Sequence, residues 1–175
     1  MKPSINGLKS RSFAAISKNL SLTIILLASL SGTQIFAQTT PAQSQAPQLL
    51  TSYYSIKDAL VAGDANIAAT KAEEFVKAAN ALDEKTVSAA TRSTLVKDAG
   101  DIAATKDIKH QREHFADLST NMSALAKSVK LSSQPVYQQY CPMKKSYWLS
   151  AEKAIKNPYY GNAMLTCGKV VETIQ

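Results

Sequence analysis

"DIKHQREHFADLSTNMSALAKSVKL", residues 107–131, decides the fold. Within it Ile108, Phe115, Met122 and Val129 recur every seven residues, with Leu118 and Leu125 between them. A 3.6-residue turn gathers these side chains into one stripe, the mark of a helix buried against other helices. The spacing predicts a long helix from about Asp101 or Asp107 to Leu131, ended by "SSQP" at 132–135. Gln111 falls inside the stripe. A buried amide needs partners, and a backbone group of the C-terminal segment is the expected one. His114 borders the stripe, whereas His110, one turn earlier, points more to solvent. Met122 lies within the stripe and reads first as core filling.

Upstream, Leu50, Tyr53, Tyr54, Ile56, Leu60 and Val61 predict a helix over 50–61 that Gly63 stops. Asp64 then caps a second helix with Ile67, Ala68, Ala72, Phe75, Ala79 and Leu82 on one side. A third, around Thr86 to Ala99, carries Val87, Ala90, Leu95 and Ala99 and is expected to close at Gly100. Downstream of 131 the pattern changes. "PVYQQYCPM" alternates, aromatics become frequent, and Asn157-Pro158 and Gly161 mark turns. The last forty residues read as irregular, with one strand-like piece and a short helix at Ser150–Ile155 capped by Ser150. Trp148, Tyr159 and Tyr160 are expected to fill the junction between bundle and tail. The fold class is therefore mainly α: an antiparallel bundle of about four helices with an irregular Cys/Met-containing C-terminal segment packed on it.

The first 37 residues carry Lys2, Lys9, Arg11 and Lys18, an apolar run from Leu20 to Leu30, and a small, polar end at Ala37. This predicts a signal peptide, and export as a soluble protein to the periplasm or beyond. Gln38, not a cysteine, directly follows the expected cleavage point, so no lipid anchor is expected. The apolar run is too short to predict stable membrane insertion after cleavage. Residues 38–48, "QTTPAQSQAPQ", read as a flexible linker, and 49–175 as a single helical domain. Without the leader, 16 basic residues stand against 13 acidic ones, a net charge of +3. The apparent basicity belongs largely to the leader, and a nucleic-acid partner loses its support.

The chemistry is concentrated in "QQYCPMKKSYWLSAEKAIKNPYYGNAMLTCG", residues 138–168. It holds both cysteines and two of the four methionines. Cys141 lies two residues from Met143, and Met164 three from Cys167. In an oxidising compartment two cysteines form a disulfide by default, here Cys141–Cys167. Against this, thiolate and thioether sulfurs are soft donors that favour Cu(I). An extended segment sends Cys141 and Met143 to one face, and a helical turn does the same for Met164 and Cys167. His114 and His110 have a spacing that can chelate a metal, and Met122 extends the set inward, each with a bland reading beside it. A thiol enzyme, with Cys141 as nucleophile and His114 as base, lacks an orienting third group and any Cys-x-x-Cys. No enzyme activity is expected. A c-type haem has no attachment motif. Composition and spacing leave a metal site and a disulfide nearly balanced.

The stretches "DIKHQREHFADLSTNM", "YCPM", "WLSAEKAIKNPYYG" and "MLTCG" resemble a bacterial domain of unknown function common in Bacteroidetes. That domain occurs as small secreted proteins and at the C-terminal end of heavy-metal efflux adaptors of the CusB type. The resemblance runs from Tyr53 to Ile174. It implies soft-metal handling in copper homeostasis or efflux, with Cys141, Met143, Met164 and Cys167 as ligands and His114 as an addition. His110 and Met122 stand further from that set. A copper ion, Cu(I), is the implied cofactor, and an efflux component the implied partner. The alternative is a disulfide-stabilised interaction module without metal.

Overall fold

The computed structural model describes residues 41–175. The expected signal peptide lies outside the described residues. Four helices come first: α1 (Pro41–Ala62), α2 (Ala65–Asn80), α3 (Ala89–Ala103) and α4 (Ile108–Ser128). Three strands follow: β1 (Val136–Cys141), β2 (Ser146–Ser150) and β3 (Lys169–Ile174), with a single 3₁₀ turn at Gly161–Ala163. The mainly α class stands. No helix among the described residues is long and apolar enough to cross a membrane.

Each helix packs on the next in chain order, and α4 carries the sheet through β2. Small residues make the second layer thin: α2 buries Ala68, Ala69, Ala72 and Ala79 around Phe75, so its neighbours approach closely. Ile67, expected on that face, is exposed. The caps explain where the helices begin. Asp64 accepts the Ile67 amide at 2.9 Å, Ser88 the Thr91 amide at 3.2 Å, and Asp107 the Lys109 amide at 2.8 Å. Each satisfies one donor that the first turn leaves orphaned.

Several boundaries differ from expectation. Residues 41–48 are not a linker but the first two turns of α1. Ala46 is buried, and Gln45 Oε1 accepts the Asp83 amide at 3.3 Å. Proline and glutamine marked 38–48 as a flexible linker, of which 38–40 lie outside the described residues, yet the chain that follows α2 meets this stretch. Gly100 does not close α3, which runs on to Ala103 with Ala104 as its cap. The long helix ends at Ser128, three residues short of Leu131, although Leu131 is still buried. Gln111 is fully buried as expected, but its partners are elsewhere. Its Nε2 donates to Ala65 O and Thr105 O, both at 2.8 Å, so it ties α4 to the start of α2 and to the turn that precedes α4.

The C-terminal segment is more regular than its sequence suggests. β1 is central in an antiparallel sheet of order β2-β1-β3. The helix expected at Ser150–Ile155 is absent: Ser150 is the last residue of β2. Its hydroxyl does accept the Glu152 amide at 3.1 Å, as a cap would. The carbonyls that would continue a helix are taken instead by Gln139, whose Nε2 faces those of Glu152, Lys153 and Ala154 at 2.8–3.3 Å.

An aromatic chain joins bundle to sheet. Tyr53 of α1 stacks on Phe115 of α4 with centroids 5.2 Å apart. Phe115 meets Tyr159, and Tyr159 meets the edge of Trp148, each at 6.0 Å. Such rings contribute large apolar areas and fix orientation together. Trp148 and Tyr159 thus fill the junction as the sequence suggested.

Candidate functional site: a cysteine pair between strand and loop

Alternation along β1 sends Gln139 and Cys141 to one face, and their cross-strand partners are Trp148 and Ser146. The loop of residues 151–168 covers this face: Gln139 grips its carbonyls at 152–154, and the Trp148 indole lies against Gly168. Cys141, the last residue of β1, therefore points under the loop that delivers Cys167. The two Sγ atoms stand 4.0 Å apart. Cys141 is fully buried and Cys167 half-buried, and both are free thiols.

Each cysteine is held by a local device. After Cys141 the chain turns through residues 142–145, and the Lys145 amide donates to Cys141 O at 2.8 Å. Lys145 takes a positive φ of 57° to bring the chain back into β2. The Lys144 amide donates to Cys141 Sγ at 3.4 Å. The Cys141 sulfur thus serves as an acceptor within its own turn.

Cys167 depends on Asn157. That side chain is fully buried. Its Nδ2 donates to Cys167 O at 2.7 Å, and its Oδ1 accepts the Tyr159 amide at 2.8 Å. The Asn157 amide donates to Leu165 O, and the Gly161 amide to Asn157 O. One residue thereby folds the loop around itself. Gly168 completes the arrangement at φ 151°, where a Cβ would stand 2.7 Å from Trp148 Cη2 and 3.0 Å from Tyr140 O. Only glycine lets the chain pass the indole there. Asn157 was visible in the sequence as a turn former and Gly168 was not singled out; the part of both in placing Cys167 left no sign in the spacing.

The Cys167 thiol is pushed above the usual range, first by burial, then by its hydrogen bond and charge interaction with Cys141. The Met143 backbone N–H pulls the other way. At neutral pH the Cys167 thiol therefore keeps its proton.

The remaining expected ligands fall into three groups. Met164 is half-buried on the loop, its carbonyl accepting the Cys167 amide at 3.0 Å. Met143 sits at the hairpin tip with 63% of its surface exposed. Both meet Cys167 through their backbones, Met164 by its carbonyl and Met143 by its N–H. Met122 is a fully buried core residue of α4. His114 turns toward α3, its Nδ1 3.9 Å from Asp101 Oδ2, and His110 is exposed. Among the described residues, no three His, Cys, Asp or Glu side chains gather as a metal-binding group. The two sulfurs that stand together are those of Cys141 and Cys167.

Residues 49–134 match the family model described as "Protein of unknown function (DUF3347)". The match begins within α1, takes in α2 to α4, and ends before β1, so both cysteines lie beyond it. No curated protein and no solved structure matches the chain.

Proposed function

We propose that Cys141 and Cys167 bind a soft monovalent ion, Cu(I) or Ag(I), and that the protein buffers or delivers that ion. The observation that carries this reading is the 4.0 Å sulfur–sulfur separation. Two sulfurs at a typical metal–thiolate distance of about 2.3 Å subtend about 120° at 4.0 Å. That angle suits a trigonal site completed by one thioether. Met164 is the favoured candidate because it precedes Cys167 within one turn, and the exposed Met143 offers a route for exchange. Thioethers need no deprotonation, and soft sulfur donors select Cu(I) over harder ions. His114, committed to the α3 side, stands outside this donor set.

The setting follows from the leader expected over residues 1–37 and from the resemblance to domains of heavy-metal efflux adaptors. The protein acts after export, in the periplasm, with an efflux component as the acceptor of its metal.

A second reading rests on the same proximity. A bond between these sulfurs would close a loop spanning 26 positions, with a stabilisation of about 3–4 kcal/mol. The protein would then be a cross-linked interaction module.

The deciding experiment titrates reduced protein with Cu(I) against a competing chelator, following the single tryptophan, Trp148, which adjoins Gly168. Under the metal reading one equivalent binds tightly with a change in Trp148 emission. Cys141→Ser abolishes binding, and Met164→Leu weakens it without altering the fold. Absence of binding by the fully reduced protein overturns the metal reading and leaves the disulfide module.

A further inference from the structure

Beside the hairpin turn lies a groove of about 300 Å3 lined by Lys109, Arg112 and Glu113 of α4, Lys144 of the turn, and Tyr159 and Tyr160 of the loop. Three cations face one carboxylate, a local surplus of two positive charges. None of these four charged side chains forms an ion pair among the described residues. Lys109 is exposed and Lys144 half-exposed, so each can swing into the groove.

Arg112 is held differently. Its Nη2 donates to Leu60 O at 2.9 Å, and it lies so close to Gly161 that a Cβ there would stand 2.6 Å from that atom. Its Nε is buried and has no acceptor. A guanidinium fixed by one arm, with its charge uncompensated, is preorganised for an oxyanion. Tyr159 and Tyr160 complete the lining. Tyr159 is locked by donating its hydroxyl to Tyr147 O.

We propose that this groove binds a small dianion whose charges sit on oxygen, with a dicarboxylate and a phosphate as the two sources of that chemistry. The volume is at the small end of the range for ligand sites, and a dianion balances the surplus charge. The assignment does not depend on metal binding by the cysteines.

The test uses the reduced protein with no metal added, titrated separately with succinate and with inorganic phosphate and followed by amide chemical shifts. Saturable shifts at Lys109, Glu113 and Lys144 are expected with at least one anion, and which anion binds tells the two sources apart. Lys109→Gln and Lys144→Gln each weaken binding about tenfold, the loss of one charge-assisted contact, with unchanged denaturation midpoints. No saturable shift from either anion overturns the proposal, and so does binding that survives both substitutions together.

Discussion

The Tyr53 and Ser119 hydroxyls meet at 2.7 Å in the buried interior, 66 positions apart in sequence. The same Tyr53 oxygen accepts the Leu149 amide of β2 at 3.1 Å. One phenol thus joins α1, α4 and the sheet, and burial raises its pKa to well above the ordinary tyrosine range. Tyr53→Phe keeps the stacking on Phe115 and removes only the oxygen. The Leu149 N–H and the Ser119 hydroxyl are then left buried without this partner, and stability should fall by about 1–3 kcal/mol. Urea denaturation of Tyr53→Phe, Ser119→Ala and the double variant measures it. Purely additive losses would show that the two hydroxyls are not coupled.

Gly100 sits inside α3 with nothing within 4 Å of where a Cβ would be. Gly100→Ala should therefore stabilise the protein by about 0.5–1 kcal/mol, because alanine restricts the unfolded chain without strain. A raised denaturation midpoint with unchanged denaturant sensitivity checks this. A lowered midpoint would mean that the helix does not continue through Gly100.

How much of this was legible in the sequence depended on how far apart the interacting residues lie. Phe115, Leu118, Met122 and Leu125 announce α4 because helical burial leaves a local period. β3 left no such trace. Its residues 169–173 are exposed, so "KVVETI" shows no alternation, and its pairing is with a strand about thirty residues earlier. The cysteines stood out by type, but their separation is set by Asn157 and Gly168, which act through backbone contacts that no spacing rule reports. His114 was read by its position relative to the stripe, which cannot say that α3 lies on that side.

Asp98 is a buried carboxylate on α3 that accepts the Asn121 amide at 2.7 Å. Burial raises its pKa, and the Asn121 bond and Lys97 only partly offset this, while Asp117 and Asp101 add to it. A raised folded-state value means that this group's contribution is complete below the unfolded value and is lost as pH rises through the folded one. Asp98→Asn removes the titration and keeps an acceptor for Asn121. The variant's stability relative to the parent should grow as pH rises from 4 toward 7. Denaturant melts at both pH values measure it, and a margin that shrinks with pH would show that the ionised form is favoured in the fold.

Metal uptake should carry a pH signature of its own. Because burial and Cys141 hold the Cys167 thiol above the usual range, an ion must displace its proton at neutral pH. Cu(I) affinity should then rise about tenfold per pH unit for each proton released. Competition titrations at pH 6, 7 and 8 check this. A flat profile would point to thioether ligation alone.

Asn157 offers the sharpest test of how the site is held. Asn157→Ala removes the donor to Cys167 O and the acceptor of the Tyr159 amide, leaving two backbone groups of the loop unpaired. Stability should fall by about 2–4 kcal/mol. Loss of the site through simple unfolding would be uninformative, so Asn157→Asp is the companion. It keeps the acceptor for Tyr159 but turns a carboxylate oxygen toward the Cys167 carbonyl. If Asn157 positions Cys167, the aspartate variant remains folded, binds Cu(I) more weakly than the parent, and oxidises to the disulfide more slowly, since both processes require the sulfurs to stay close. Unchanged affinity and oxidation rate in folded Asn157→Asp would assign the placement to the packing of Gly168 against Trp148 instead.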